Sequence, residues 1–380
     1  MPALLDLSQV NRSPLPAPPD HPAGRRAPLH PVELGPRGLP VAYWVRDVRV
    51  DPAVVLAPME GVTDLVFRRL IRSIGGPGLT YTEFIASSAI LAGRGKAWDM
   101  AQFDPDERPI ALQIYGREPQ VMAEAARMLQ DLGATILDIN MGCPSKKVCA
   151  HSGGSALMRE PELAVSIVRA VRAAIDIPLT VKMRAGFDRD HLNASELCWR
   201  FQEEGVEALT IHWRTRQELY GGERDVEEIA RAVDRVAIPV IGNGDVIDIP
   251  SARRMFEETG CAGVMVGRGA IRRPWVLRRI GRWLRGEELQ PETADEREAV
   301  LNRYIETIHE AFDSEHGALG RTKMVVRHFA QDLPEGTHLR KRALPLPTRE
   351  AVEDALTVYF DALRRFEAGD EDAIARWVAG

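Results

Sequence analysis

The feature that most constrains this chain is a rhythm. From Ala53 onward, eight short runs rich in Val, Ile and Leu recur: AVVLAP (53–58), LTYTE (79–83), IALQI (110–114), TILDIN (135–140), PLTVKM (178–183), EALTIH (207–212), IPVIGN (238–243) and AGVMVG (262–267). Between most of them lies one segment of helical period, as at 63–74, 118–132, 161–175 and 251–259. Strands that are apolar without alternation need cover on both faces, which is the mark of a parallel sheet. Eight such β/α units within about 220 residues suit a closed (β/α)8 TIM barrel better than an open, doubly wound sheet. The stretch between the second and third runs is long and irregular, and its elements are not fixed by pattern.

On either side of this region the rhythm is absent. Ten of the 26 prolines fall within residues 2–40, interleaved with glycine and arginine. Proline fixes φ and removes a backbone donor, so a helix or central strand is not expected there. Residues 1–45 are therefore expected to be a proline-rich, disordered N-terminal extension. After Ile271 the strand pattern stops. Residues 294–313, 319–332 and 348–378 carry helical period, with breaks at Gly317, Pro334, Gly336 and 345–347. The expected organisation is an extension (1–45), a barrel domain (46–290) and an all-helical C-terminal domain (291–380).

Composition excludes several classes. Lys plus Arg total 49 against 55 Asp plus Glu, a formal net charge of −6, which rules out a globally basic nucleic-acid binder. No run of about eighteen apolar residues occurs, so no membrane-spanning helix is expected. The start, MPALLDLSQVNRS, lacks the basic region and long apolar run of a signal peptide. Four cysteines without a CxxC pair fit neither a disulfide scaffold nor a zinc ribbon. A reducing cytoplasm is the expected compartment.

Barrel enzymes build their sites at the C-terminal ends of the strands. Here those ends read Pro58-Met59, Glu83, Gln113, Asn140 with Cys143, Lys182 with Arg184, His212 with Arg214, Asn243 with Asp245, and Gly267-Arg268. One strand-end Asn or Gln often only caps the next helix. So many such ends on one rim point instead to a site. The turns IGNGD (241–245) and VGRGA (266–270) follow the seventh and eighth runs, where barrels commonly cradle a phosphate. Gly244, Gly267 and Gly269 would permit close approach, and Arg268 would supply charge. Lys182 lies in an otherwise apolar run, and a buried ammonium needs an electron-rich partner. A flavin N1–C2=O edge is one such partner, with His212 and Gln113 bonding the same ring; an ion pair with Asp138 or Glu83 is the other. Cys143, in NMGCPSKKV, sits on a stiff Gly-Cys-Pro turn, and Lys146 and Lys147 would lower its pKa. It can serve as nucleophile or as general acid. Cys198 and Cys261 read as core residues, Cys149 stays open, and the spacing from Cys143 to Cys149 suits no metal.

These residues carry a resemblance. The stretches APMEGVTDLVFRRL (57–70), LQIYGREP (112–119), LDINMGCPSKKV (137–148), LTVKMRAG (179–186), LTIHWRTR (209–216), IPVIGNGD (238–245) and GVMVGRGA (263–270) resemble the tRNA-dihydrouridine synthases, and DINMGCPSKKV and RPW (273–275) look most like their bacterial B-type branch. The resemblance spans residues 54–285 and continues more loosely through GRTKMVVRHF (320–329). It implies a tightly bound FMN, NADPH as reductant and tRNA as partner of a monomeric enzyme without membrane attachment. Cys143 would be the general acid that protonates C5 of the target uracil, with hydride passing from flavin N5 to C6. Asn140, Arg184 and Arg214 would lie on the substrate side. Pro58, Met59, Gln113, Lys182 and His212 would bind the flavin ring, and Asn243, Asp245, Gly267 and Arg268 the ribityl and phosphate; no metal is implied.

The segment 268–285 holds seven arginines and no acid, interleaved with Trp275 and Trp283. Arg321, Lys323, Arg327 and Arg340-Lys341-Arg342 would extend this surface toward RNA phosphates. Three rivals remain: an FMN barrel reductase acting on a free pyrimidine or other small enone, a flavin-dependent RNA methylating enzyme, and an RNA-binding module without catalysis. The separate helical domain disfavours the first, and the presence of Cys143, Lys182 and His212 disfavours the last.

Overall fold

The computed structural model of the chain describes residues 29–145, 148 and 153–380. Strands β1 (Val32–Leu34), β2 (Pro40–Val45) and β3 (Val48–Val50) form an antiparallel sheet in that order. This corrects the expected disorder for residues 32–45; residues 1–28 lie outside the described residues. The prolines sit where strands tolerate them. Pro31 precedes β1, Pro36 occupies the turn, and Pro40 is the first residue of β2. Tyr43, Val45 and Val50 are fully buried in one cluster with Ala53, Val55 and Tyr81. The small sheet thus plugs the N-terminal end of the barrel and leaves the opposite end open.

The barrel is built from β4 (Val54–Leu56), β5 (Thr80–Tyr81), β6 (Ile85–Ala86), β7 (Ile110–Tyr115), β8 (Ile136–Met141), β9 (Leu179–Arg184), β10 (Ala208–His212), β11 (Val240–Asn243) and β12 (Gly263–Val266). All pairings are parallel, in the order β4-β12-β11-β10-β9-β8-β7-β5, with β6 an extra short strand on β7. A parallel bridge from Val55 to Leu79 closes the ring, where Leu56 N–H donates to Leu79 O at 3.1 Å. Each of the eight apolar runs carries one strand of the (β/α)8 barrel. The irregular stretch supplies β6, two short helices (Ser87–Leu91 and Gly95–Ala101) and a single turn at Pro105–Glu107.

The strands are buried on both sides, yet their two faces differ. Outward residues such as Leu112, Leu137, Val181, Leu209 and Val264 join the layer under the helices. Inward, Val55, Ala111, Ile136, Ala208, Ile241 and Met265 fill the lower half. Two residues further along most strands the same face turns polar, as at Gln113, Asp138, Thr210 and Asn243, with Gln113, Asp138 and Thr180 in one aligned row, whereas β4 leads to Ala57 and β12 to Gly267. A dry lower half and a polar upper half follow directly from this period of two.

Helices Ala294–Ala311, Glu315–Phe329, Gly336–Ala343, Arg349–Glu367 and Ala373–Ala379 make the C-terminal region. A capping box between Thr293 and Glu296 starts the first. The expected helix over 348–378 is interrupted at Gly369, whose φ is +101°, and the helix 336–343 was not legible as a separate element. The region packs on helix Leu65–Ser73, with the Phe67 and Tyr304 rings 5.7 Å apart. No helix among the described residues is long and apolar enough to cross a membrane.

Candidate active site

A cavity of about 510 Å3 opens at the C-terminal ends of the barrel strands. Pro58, Met59, Asn140, Cys143, Lys182, Arg184, His212, Asn243, Asp245, Gly267 and Arg268 all reach its wall. Of the strand-end residues expected at the site, Glu83, Gln113 and Arg214 do not. Gln113 is fully buried beneath Asn140, and Arg214 is turned away behind Trp213, its guanidinium carbon 3.9 Å from the indole centre.

The cysteine sits on the turn that leaves β8. Asn140, the penultimate residue of that strand, folds its Oδ1 back to accept from Gly142 N–H at 3.0 Å and Cys143 N–H at 2.9 Å. The Cys143 carbonyl accepts from the backbone N–H of Ser155 at 3.1 Å and from its Oγ–H at 2.8 Å. The peptide units on both sides of the thiol are therefore clamped, and the fixed φ of Pro144 stiffens the exit from the turn. Lys146, Lys147 and Cys149 lie outside the described residues.

Lys182 lies beside Asn140 in the β8–β9 register and has no ion-pair partner among the described residues. Neither acid expected to pair with it forms a salt bridge with it, although Asp138 is near enough to favour its charged form. Asp138 accepts from Gln113 and Thr180, and Glu83 accepts the Gly61 N–H. Burial, with Arg184 nearby, lowers the Lys182 pKa to about 8. Burial raises Asp138 to about 6, against the opposing pull of its two donors and Lys182. His212 is held well below its ordinary value, first by burial and then by Lys182, Arg184, Arg214 and Arg268, so the imidazole is neutral. Its Nδ1 accepts from Arg214 N–H at 3.1 Å, which assigns the proton to Nε2.

The glycine turns prove less uniform than the sequence suggests. A side chain at Gly244 would strike the Trp213 ring, and its φ of +114° also favours glycine; one at Gly269 would strike the backbone of Val246 and Ile247, so that glycine serves packing. Only at Gly267 is there room, with Ala57 and Met59 no nearer than 3.6 Å. Asp245, at a φ of +54°, bridges Arg214 at 2.7 Å and Arg268 at 2.9 Å. Arg184 is a brace: it donates to the carbonyls of Gly142 at 2.9 Å, Thr215 at 2.7 Å and Leu219 at 2.9 Å, tying the β8 turn to the loop after β10.

That loop carries residues the sequence reading missed. Leu219 and Tyr220 stand exposed on the cavity rim, Leu219 at a φ of +52°, and the Arg268 guanidinium lies 5.0 Å from the Tyr220 ring. The only signal was an apolar pair within the charged, glycine-bearing stretch RQELYGGERD.

The arginine-rich segment differs from its expected open basic surface. Five of its seven arginines are in ion pairs: Arg268 with Asp245, Arg273 with Asp332, Arg279 with Glu292, Arg282 with Glu287 and Arg285 with Asp51. Trp275 is buried edge-on to Phe329, and Trp283 is covered by Arg37. Arg321 is likewise spent internally, donating to Gly61 O at 2.7 Å and to Asp64 at 2.8 Å, which docks the helical region on the loop after β4. What remains near the mouth is a smaller cluster. Arg272 and Arg327 are exposed beside His328, whose pKa is lowered by burial and then by these cations.

The family model for dihydrouridine synthases matches residues 55–362. A probable tRNA-dihydrouridine synthase from Rhodobacter capsulatus is 43% identical over 267 residues, covering 68% of this chain and 82% of the relative. A tRNA-dihydrouridine synthase B from Pseudomonas aeruginosa is 40% identical over 276 residues (71% and 83%). Another, from Pseudomonas putida, is 36% identical over 324 residues (85% and 96%).

Proposed function

The chain belongs to the dihydrouridine synthase family, and from that premise we propose that it reduces a specific uridine of tRNA, in the D-loop, to 5,6-dihydrouridine, with FMN as cofactor and NADPH as reductant. The observation that carries this reading is a shared space: Lys182, an ammonium without an ion-pair partner among the described residues, and Cys143, a thiol on a clamped turn, face one cavity from adjacent strands. The cavity volume lies in the range of cofactor pockets. Its donors suit a flavin, because Lys182 and the Nε2–H of the neutral His212 offer a cation and a hydrogen bond to a ring edge rich in acceptors. The open position at Gly267 beside Arg268 suits a phosphate.

When bound and reduced, FMN supplies the hydride for C6 of the uracil. The remaining work falls to the chain. Pro58 and Met59 pack beside the ring, Lys182 and His212 hold it, and Asn243, Asp245, Gly267 and Arg268 receive the ribityl phosphate. The C5=C6 bond accepts hydride only if C5 is protonated in step, and Cys143 gives that proton. Asn140 keeps the base beside the thiol. Arg184 acts through the two loops it ties, Arg214 through Asp245, and Gln113 through Asn140. A base in a folded RNA must swing out to reach such a cup. The exposed Leu219 and Tyr220 on the rim, and Arg272 and Arg327 on the neighbouring helices, offer apolar and cationic contacts for that RNA. Residues 46–290 would form the catalytic domain and 291–380 the tRNA-facing one, in a cytoplasmic monomer.

The test is mass analysis of nuclease-digested tRNA after incubation of dihydrouridine-free tRNA with the protein and NADPH. Dihydrouridine is expected. A yellow protein that binds tRNA but yields none overturns the reading, and reduction of a free pyrimidine in its place points to a small-molecule reductase.

A further inference from the structure

Beneath the cavity runs a chain of side-chain hydrogen bonds. Thr180 Oγ–H donates to Asp138 Oδ1, and Gln113 Nε2–H donates to Asp138 Oδ2 at 2.6 Å. Asn140 Nδ2–H then donates to Gln113 Oε1 at 2.8 Å, and the Asn140 Oδ1 accepts both backbone N–H groups of the cysteine turn. Asp138 and Gln113 are wholly enclosed, so no water replaces a lost partner cheaply.

The two ends of this chain have fixed polarity. A carboxylate only accepts, and a backbone N–H only donates. Each amide between them has one accepting and one donating end. With Asp138 accepting, Gln113 must turn its Nε2 inward and its Oε1 toward Asn140. Asn140 must then give its Nδ2 to Gln113 and its Oδ1 to Gly142 and Cys143. Both ends demand the same orientation of both amides, and a flip of either would set donor against donor.

We propose that Asp138 is a positioning residue: as the carboxylate acceptor at the base of this relay, it fixes the orientation of Gln113 and Asn140 and thereby the placement of the Cys143 turn. Asp138 does not line the cavity. Its link to turnover rests on the proposed role of Cys143, whereas its control of the turn is a property of the chain alone.

Amide-resolved hydrogen exchange by NMR reads the Gly142 and Cys143 N–H groups individually. Asp138→Leu is expected to speed exchange at Gly142 and Cys143 by roughly tenfold to a hundredfold, the size of a lost buried hydrogen bond. Asp138→Asn is the conservative rescue. It can present Oδ1 to Gln113 and its amide to the Thr180 oxygen, so exchange should stay near the original rate. In the tRNA assay, Asp138→Leu should lower kcat far more than it raises KM. If Asp138→Leu fails to fold, Gln113→Leu cuts the relay one link higher and should speed the same amides. Unchanged protection of Gly142 and Cys143 in a folded Leu variant overturns the proposal. So does an Asn variant as fast as the Leu one, which would assign Asp138 to charge balance with Lys182. Absence of dihydrouridine from the unmodified protein would defeat the functional reading and leave the exchange result intact.

Discussion

The barrel mouth and the arginine-rich segment after its last strand are both dense in polar side chains, but they are built on opposite terms. At and just beneath the mouth, neighbours in strand register satisfy one another: Gln113 meets Asp138, Asp138 meets Thr180, and Asn140 lies beside Lys182, which forms no salt bridge among the described residues. In residues 268–285 most charges are answered from elsewhere in the chain, by Asp51, Asp245, Glu287, Glu292 and Asp332. The contrast shows which polar residues are left over for chemistry. A strand end in a barrel has an address set by topology, so its neighbours and its exposure to the mouth can be foreseen. A run of arginines has no such address, and its charge is visible to a ligand only where folding brings no acid to it.

The comparison can be broken at its strongest point first. Cys143→Ala should lower dihydrouridine formation by at least about a thousandfold while leaving the flavin absorbance of the purified protein unchanged. Loss of the flavin would take the thiol out of its proton-donating role. Next in size is a contrast between two paired arginines. Arg68, wholly buried against Glu107 at 2.7 Å, should cost about 3–5 kcal/mol when changed to Ala. Exposed Arg282, paired with Glu287 at 2.6 Å, should cost no more than about 0.5 kcal/mol. Urea unfolding measures both, and similar costs would mean that burial does not separate these ion pairs.

A smaller effect concerns pH. In the flavin-free protein the Lys182 pKa is lowered from 10.5 to about 8. Between those values the unfolded chain holds a proton that the folded one has shed, so stability due to Lys182 rises as pH rises across that window and is lost as pH falls through about 8. Lys182→Met should flatten this part of the stability curve, and a parallel curve would show that the ammonium is not desolvated. The smallest effect separates open from answered arginines. Arg327→Ala should weaken tRNA binding and reduce the salt slope by about one, whereas Arg282→Ala should change the slope little. Equal slopes would restore the open basic face that the ion pairs argue against.

Much of the barrel was legible because parallel strands covered on both sides leave uninterrupted apolar runs, and every one of the eight runs holds a strand. The cysteine turn and the candidate cofactor side chains were legible for the same reason, since the end of each run names the residue at the mouth. The plug sheet was missed because prolines were weighed by number, while their effect depends on place. Pro31, Pro36 and Pro40 all fall at strand ends or turns. Burial of Gln113 and Arg214 was hidden because sequence gives the strand of a residue more readily than its depth. The docking role of Arg321 was hidden because its partners Gly61 and Asp64 are more than 250 residues away. Glycine roles diverged too, because a neighbouring backbone decides what Gly269 must be, while at Gly244 a neighbouring indole adds to the positive φ of the turn.

In the proposed reaction Cys143 and its neighbours at the barrel mouth turn bound reducing power into dihydrouridine. An anaerobic single-turnover experiment addresses it most directly: flavin is reduced with NADPH, excess nucleotide is removed, and tRNA is mixed in while flavin reoxidation and dihydrouridine are followed together. The original protein should reoxidise its flavin with one dihydrouridine formed per flavin, and Cys143→Ala should keep its flavin reduced. Reoxidation without dihydrouridine, or equal reoxidation by the Ala variant, would contradict the account.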